Sequence, residues 1–354
     1  MHYRIALLPG DGIGLEVVKA GMQVLQMVAT MGDFTLSFTE FPYSCTYYLE
    51  HGVMMPEDGF EMLRQYDAIL LGAVGDPRIV PDHISLRGLL VPLRQRFDLY
   101  VNYRPARLIP GLPTPLKGDP PFDLVTIREN SEGEYAGTGG RVHIGTPDEV
   151  ALQTTVFTRK GVERIVRYAF ELASKRKHKL ASVTKSNAMQ YAFVLWDEVV
   201  NQVACEYPEV KVQHYHADAL LAMLVRDPLR FDVIVASNLF GDMITDLTGA
   251  LQGSLGLPAS ANLNPERNAP SLFEPVHGSA PDIAGKGIAN PMATFWAVSL
   301  LLEFLGQQMA ARLLMHAVEQ VIGEGKVLTP DLGGVATTGA VTEAVIQALM
   351  QGHA

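Results

Sequence analysis

Short, continuous apolar runs that alternate with longer stretches of helical spacing constrain this chain more than any other feature. Residues 5–8 (Ile-Ala-Leu-Leu) precede a helical pattern starting at Leu15, and residues 68–71 (Ala-Ile-Leu-Leu) precede one starting at Leu86. Residues 180–183 and 231–236 are further runs of the same kind, and helical patterns recur at 158–175 and 189–207. Such runs suit buried strands, and the rhythm is that of an α/β fold with a mostly parallel sheet. Prolines at 105, 110, 113, 115, 120 and 121 interrupt it. Proline cannot donate to a sheet ladder, so this stretch reads as a passage between two lobes. Residues 123–128 then read as a strand, 133–145 as a Gly-rich arm, and 253–291 as a loop-rich segment ahead of the C-terminal helices.

At 354 residues the chain can bury the cores of about two domains. Its formal net charge of −10 argues against a nucleic-acid surface or an anionic membrane as partner. An anionic small molecule is still possible, because a local arginine cluster overrides a global field. Cys45 and Cys205 are the only cysteines and are far apart, which gives no disulfide framework and no zinc spacing. The most apolar stretch, 292–305, is broken by Glu303 and is shorter than a bilayer span. The opening residues are too short an apolar run for a signal peptide and read as a first strand; a reduced, cytoplasmic setting is expected.

The segment Asn238-Leu239-Phe240-Gly241-Asp242-Met243-Ile244-Thr245-Asp246 follows one of the strand-like runs directly. With a helix beginning near Gly241, Asp242 and Asp246 lie on one face, one turn apart. Like charges at that spacing repel, and a cation between them relieves the repulsion. All-oxygen ligands suit Mg²⁺ or Mn²⁺. The plainer reading is an acidic helix start that complements the helix dipole.

Other residues carry chemistry only in combination. Arg94, Arg104 and Arg128 come from three different elements and would form a bidentate carboxylate clamp if they converged. Singly, each would only solvate its own element. Tyr135, on a Gly-rich acidic loop, is a candidate general acid or a rim residue, and Lys185, at a strand end, a candidate base or an exposed lysine. The small-residue loop 277–291 lets backbone amides approach a ligand, and Asp282 could accept both ribose hydroxyls of an adenosine. Gly10-Asp11-Gly12-Ile13-Gly14 mimics a dinucleotide fingerprint, but its third glycine is misplaced, so a tight strand-to-helix turn near a ligand fits better. His214-x-His216-x-Asp218 alternates, and on a strand its side chains would share one face, as a transition-metal site or as plain surface residues.

Together these blocks resemble the metal-dependent β-decarboxylating dehydrogenases, which include isocitrate, 3-isopropylmalate, homoisocitrate, tartrate and D-malate dehydrogenases. The likeness runs from Pro9-Gly10-Asp11-Gly12 to the C-terminal helices. It implies an α/β, isopropylmalate dehydrogenase-like two-lobed fold, with a mixed parallel/antiparallel sheet flanked by helices, distinct from Rossmann. Residues 1–99 plus 253–354 would form a large cofactor-binding lobe, and 100–252 a smaller dimerisation lobe with an arm. The resemblance places the active site between the lobes of a homodimer. Arg94, Arg104 and Arg128 would clamp the departing carboxylate. Asp242 and Asp246 would hold Mg²⁺ or Mn²⁺ together with Asp218 of the partner subunit. Lys185, also from the partner, would serve as base and Tyr135 as acid. NAD would lie against His277, Gly278, Ser279, Ala280, Asp282, Ile283 and Asn290.

The segment ahead of Arg94 points to the subgroup. Gly88 and Leu90 stand where isocitrate enzymes place serine and asparagine, and Val91 where homoisocitrate enzymes place arginine. The stretches Cys45-x-Tyr47-Tyr48-x-x-His51-Gly52 and Pro81-Asp82-His83-Ile84-Ser85-Leu86 resemble tartrate and D-malate dehydrogenases, although Arg87 replaces their usual tryptophan. The expected activity is NAD- and metal-dependent oxidative decarboxylation of a 2-hydroxy dicarboxylic acid, D-malate (to pyruvate and CO₂) and/or tartrate. The alternative within the family is 3-isopropylmalate dehydrogenase of leucine biosynthesis. Outside it stand a metal-dependent hydrolase or phosphotransferase using Asp242 and Asp246, and a non-catalytic binding protein.

Overall fold

The computed structural model describes residues 1–352. They form two compact units. The first gathers Met1–Leu99, Arg107–Asp119 and everything described from Gly249 on; the second gathers Tyr100–Ala106 and Pro120–Thr248. The proline-rich residues 107–119 thus pack with the first unit, where the Thr114 hydroxyl donates to the Leu251 carbonyl at 2.7 Å.

Five strands run through the first unit in the order β2 (Thr35–Glu40), β1 (His2–Gly10), β3 (Ala68–Ala73), β12 (Ser271–Pro275) and β11 (Ala259–Leu263). All neighbours are parallel except β11 and β12, which makes the sheet mixed. The helix Gly14–Met31 buries Val17, Val18, Gly21, Val24, Leu25 and Val28, an i, i+3/4, i+7 stripe laid on the sheet. The apolar stretch noted above is the helix Met292–Phe304, buried at every position from Met292 to Leu302. It is a central core helix, and among the described residues no helix is long and apolar enough to cross a membrane.

Strands β11 and β12 correct the reading of 253–291 as loop. Ser260 and Asn262 alternate with Ala259, Ala261 and Leu263 on β11 and are fully buried, so this strand hides its polar face as well as its apolar one. Asn262 donates to Glu274 Oε1 at 2.8 Å.

The second unit orders its strands β4 (Val101–Arg107), β5 (Asp123–Glu129), β10 (Val233–Ala236), β8 (Lys179–Thr184) and β9 (Lys211–His216). From β5 to β9 the pairing is parallel throughout, which brings four strand carboxyl ends to one edge. The helix Arg159–Ser174 is capped by Thr158, whose hydroxyl accepts from the Gly161 amide at 2.9 Å. Phe170, Phe193 and Trp196 fill the core, and Phe193 stacks obliquely on Phe240, bracing the helix Asn238–Leu251. Strands β6 (Gly133–Val142) and β7 (Val150–Val156) form a separate antiparallel ribbon that exposes Val142, Ile144, Val150 and Leu152.

Candidate active site

The carboxyl ends of β5 and β10 lie side by side, with Arg128 paired to Ala236 in register. The chain then turns directly into the helix Asn238–Leu251, so Arg128 faces that helix's first turns. Its Nε and Nη2 donate to Asn238 Oδ1 at 3.1 and 2.7 Å, and its Nη1 pairs closely with Asp242 Oδ1. Glycine at 241 makes this approach possible. A Cβ there would lie 2.6 Å from both Cβ and Cγ of Arg128.

Arg104, from β4, reaches the same carboxylate. Its Nη1 donates to Thr245 Oγ1 at 2.6 Å and to Asp242 Oδ1 at 3.3 Å. The Tyr135 hydroxyl stands 3.5 Å from Asp242 Oδ2, and the Arg128 guanidinium carbon lies 5.7 Å from the tyrosine ring centroid. Burial and then the Asp242 charge push the Tyr135 phenol above its ordinary pKa. The structure therefore brings together Arg104, Arg128, Tyr135, Asp242 and Asp246.

The helix starts at Asn238, three residues before the expected start, so Asp242 and Asp246 lie beyond its first turn. The dipole-capping reading therefore does not hold, because that effect fades within one turn. Asp246 makes no hydrogen bond or ion pair among the described residues. The protein packed around it and then the Asp242 charge raise its pKa, against the pull of Arg104 and Arg128. A carboxylate so placed, with a second one a turn away, fits a hard divalent cation.

Asp218 lies elsewhere in this chain. β9 ends at His216, and Asp218 opens the helix Ala217–Arg226, which corrects the reading of His214, His216 and Asp218 as one strand face. His214 is spent on Asn201 and Asp197, and among the described residues no three His, Cys, Asp or Glu side chains gather as a metal site. Asp218 instead accepts from Lys185 Nζ at 2.8 Å, and that hydrogen bond holds its carboxyl below the usual range. The two residues border an apolar recess of about 200 Å³ lined also by Leu221, Phe240, Met243 and Ile244.

Arg94 belongs to the first unit. It sits on the helix Val91–Arg96, just after a π-helical turn, Leu86–Leu90, that carries the exposed Arg87. Its Nη2 donates to Glu274 Oε1 at 3.2 Å, while its buried Nε has no hydrogen-bond partner among the described residues. Gly88 is there because Met54 is: a Cβ would fall 2.6 Å from Met54 Cγ.

The loop 277–291 is bound to the first turn of the chain. The Ile13 amide donates to the Ser279 carbonyl at 2.8 Å, and Gly12, at φ +58°, leaves no room for a Cβ against that oxygen. Ser279 Oγ donates to the Gly75 carbonyl, and the Gly285 amide to Glu16 Oε1 at 2.6 Å. Ile283 turns inward with Ala280 and Ala284 against Ile13 and Val17, while Gly278 and Asp282 face solvent. Asn290 is buried and donates to Asp331 at 2.8 Å. Burial lowers the His277 pKa, and its buried Nε2 has no hydrogen-bond partner among the described residues.

The sequence reading missed Asn238, Thr245 and Glu274. The first two recur with Asp242 at i, i+4 and i+7, a spacing that could have revealed them; Glu274 carries no such signal.

A family model described as isocitrate/isopropylmalate dehydrogenase matches residues 4–349. A probable tartrate dehydrogenase/decarboxylase of Bacillus subtilis (strain 168) is 51% identical over 349 residues, covering 98% of each chain. The decarboxylating D-malate dehydrogenase of Escherichia coli (strain K12) is 53% identical over 357 residues, covering 98% of this chain and 99% of its own. The crystal structure of isocitrate dehydrogenase from Methylococcus capsulatus superposes with a TM-score of 0.88 at 36% identity, covering 99% of both chains.

Proposed function

Because this chain belongs to the isocitrate/isopropylmalate dehydrogenase family and is an oxidoreductase, we propose that it oxidises and decarboxylates a 2-hydroxy dicarboxylic acid, D-malate and/or tartrate, using NAD and Mg²⁺ or Mn²⁺. One observation carries the reading: Asp242, two arginines and a protonated tyrosine meet on one helix face beside the unspent Asp246. Those two arginines and two carboxylates balance in charge, so a bound divalent cation would leave the site positive enough for a dianionic acid.

Asp242 and Asp246 would hold the metal, with Asp218 of the partner subunit as third ligand. Bound there, a divalent cation would supply Lewis acidity toward the 2-hydroxyl, and NAD would supply a hydride acceptor. Arg104 and Arg128 hold the departing carboxylate; the orphan Nε of Arg94 suits the same kind of group. Lys185 of the partner subunit takes the hydroxyl proton through an aspartate or water. Tyr135 delivers a proton to the carbon that CO₂ leaves, and its raised pKa keeps it in the donor form at neutral pH. NAD would lie along His277, Gly278, Ser279, Ala280, Asp282, Ile283 and Asn290.

The second-unit ribbon and the recess beside Lys185 expose apolar surface of the kind a second copy covers, which supports a homodimer with shared sites. Reduced-nicotinamide absorbance with D-malate, tartrate and 3-isopropylmalate in parallel, with Mn²⁺ and NAD, tests the activity. Reduction with 3-isopropylmalate alone would favour that alternative; no reduction with any of the three would reject the proposal. For the shared site, inactive Lys185→Met and Tyr135→Phe subunits should regain activity when exchanged into heterodimers, and no recovery would count against it.

A further inference from the structure

We propose that Glu134 is the positioning residue that holds the Tyr135 hydroxyl at Asp242. Three contacts join residues 132–134 to the start of the Asn238 helix. The Leu239 amide donates to Glu134 Oε2 at 3.2 Å, Ser237 Oγ to Glu134 Oε1 at 3.4 Å, and Asn238 Nδ2 to the Glu132 carbonyl at 3.4 Å. That helix has no acidic residue in its own first turn. Glu134 therefore serves it as a cap from outside, satisfying one of its orphan amides and placing negative charge at its positive end.

On a regular strand, Glu134 and Tyr135 would face opposite sides. Here β6 is irregular. Between the register pairs Gly133–Val156 and Thr138–Thr154, β6 carries four residues (134–137) against one on β7 (155). This bulge lets neighbouring side chains reach the same helix, one gripping its amino end and the other meeting Asp242 one turn further on. The Gln153 side chain fixes the bulge by donating to the Glu134 carbonyl at 3.0 Å. The proton donor and the proposed metal-binding helix are thus joined through the residue just before the donor.

The inference rests on the role of Tyr135 as proton donor, and the test separates the two. Glu134→Gln keeps both acceptor reach and length but loses the charge. Glu134→Asp keeps the charge but retracts it by one C–C bond, about 1.5 Å, beyond hydrogen-bond reach of Leu239. With Mn²⁺, NAD and the best of the three candidate acids, Gln should retain at least about a third of wild-type kcat. Asp and Ala should lose about 10- to 100-fold, with KM within about threefold, as expected for a misplaced reacting group. Hydrogen exchange at the Leu239 amide should stay slow in Gln and accelerate in Asp, a measurement that stands even if the Ala variant does not fold. More activity in Asp than in Gln, or unchanged kcat in Asp, would overturn the positioning role. Wild-type kcat in Tyr135→Phe would instead overturn the donor role beneath it.

Discussion

Asp242 accepts from Arg104 and Arg128 on one oxygen and lies 3.5 Å from the Tyr135 hydroxyl on the other. Its neighbour one turn on, Asp246, has none of these partners among the described residues. The two carboxylates that the sequence presents as a matched pair therefore have unequal jobs. Asp242 organises the site, and under the proposed function Asp246 would be the carboxylate left for the cation.

This inequality predicts different outcomes for the two asparagine variants. Asp246 has its pKa raised in the fold, so its ionised form destabilises the metal-free protein, and that cost appears as pH rises through the carboxylate range. Asp246→Asn should melt no lower than wild type without metal. Mn²⁺ at about 100 times its Kd should stabilise wild type by about 2.7 kcal/mol and leave the variant nearly unmoved. Asp242→Asn should lower the metal-free melting point, because it weakens the hold on two buried guanidiniums. Thermal melts with and without Mn²⁺ decide this; equal metal responses in wild type and Asp246→Asn would contradict it.

Gly241→Ala separates stability from function. Alanine favours the helix by about 1 kcal/mol, while crowding the stem of Arg128 costs about 1–3 kcal/mol, so the net loss stays below about 2 kcal/mol. The clash involves Cβ and Cγ of Arg128, which cannot swing aside as a side-chain tip would. The guanidinium should shift, and kcat/KM should fall at least about tenfold. Wild-type kcat/KM with a changed melting point would contradict the account.

Tyr135 sets an expectation for pH. Its phenol is pushed above its ordinary pKa by burial and by Asp242, so the donor form persists through mildly alkaline solution. Any basic limb of the kcat profile that Tyr135 controls should lie above about pH 10. A limb centred below about pH 9 that vanishes in Tyr135→Phe would show that the phenol titrates too early for this environment.

Much of this was legible in the sequence, and the remainder has physical reasons. The α/β rhythm and the Asp242–Asp246 spacing are local patterns, so they survive translation into structure. The grip of Arg128 on Asn238 is not local: it requires β5 to lie beside β10. Strand β11 escaped notice because it is only five residues long and its apolar positions are small, Ala259 and Ala261, set between the buried polar Ser260 and Asn262. Asp218 was read onto a strand because the change to helix at Ala217 leaves the alternating pattern intact. Glu134 was invisible because a bulge, which no periodicity announces, turns it toward the helix.

Cofactor choice should follow Asp282, which faces solvent on its loop. A carboxylate beside a 2′-phosphate in a partly wet site costs on the order of 1–4 kcal/mol, which favours NAD over NADP by roughly ten- to a thousandfold. Asp282→Lys should narrow that ratio. Ile283 packs against Ile13 and Val17, so adding Ile283→Tyr should cost stability and not improve the switch. Equal use of NADP by wild type would place Asp282 away from the ribose.

The most direct test of the central claim is the ratio of CO₂ released to nicotinamide reduced when the Mn²⁺-loaded protein turns over D-malate or tartrate with NAD. The account predicts one CO₂ for each reduced nicotinamide with D-malate, and loss of both signals together in Asp246→Asn. Nicotinamide reduction without CO₂, or turnover that persists in Asp246→Asn under a chelator, would contradict it.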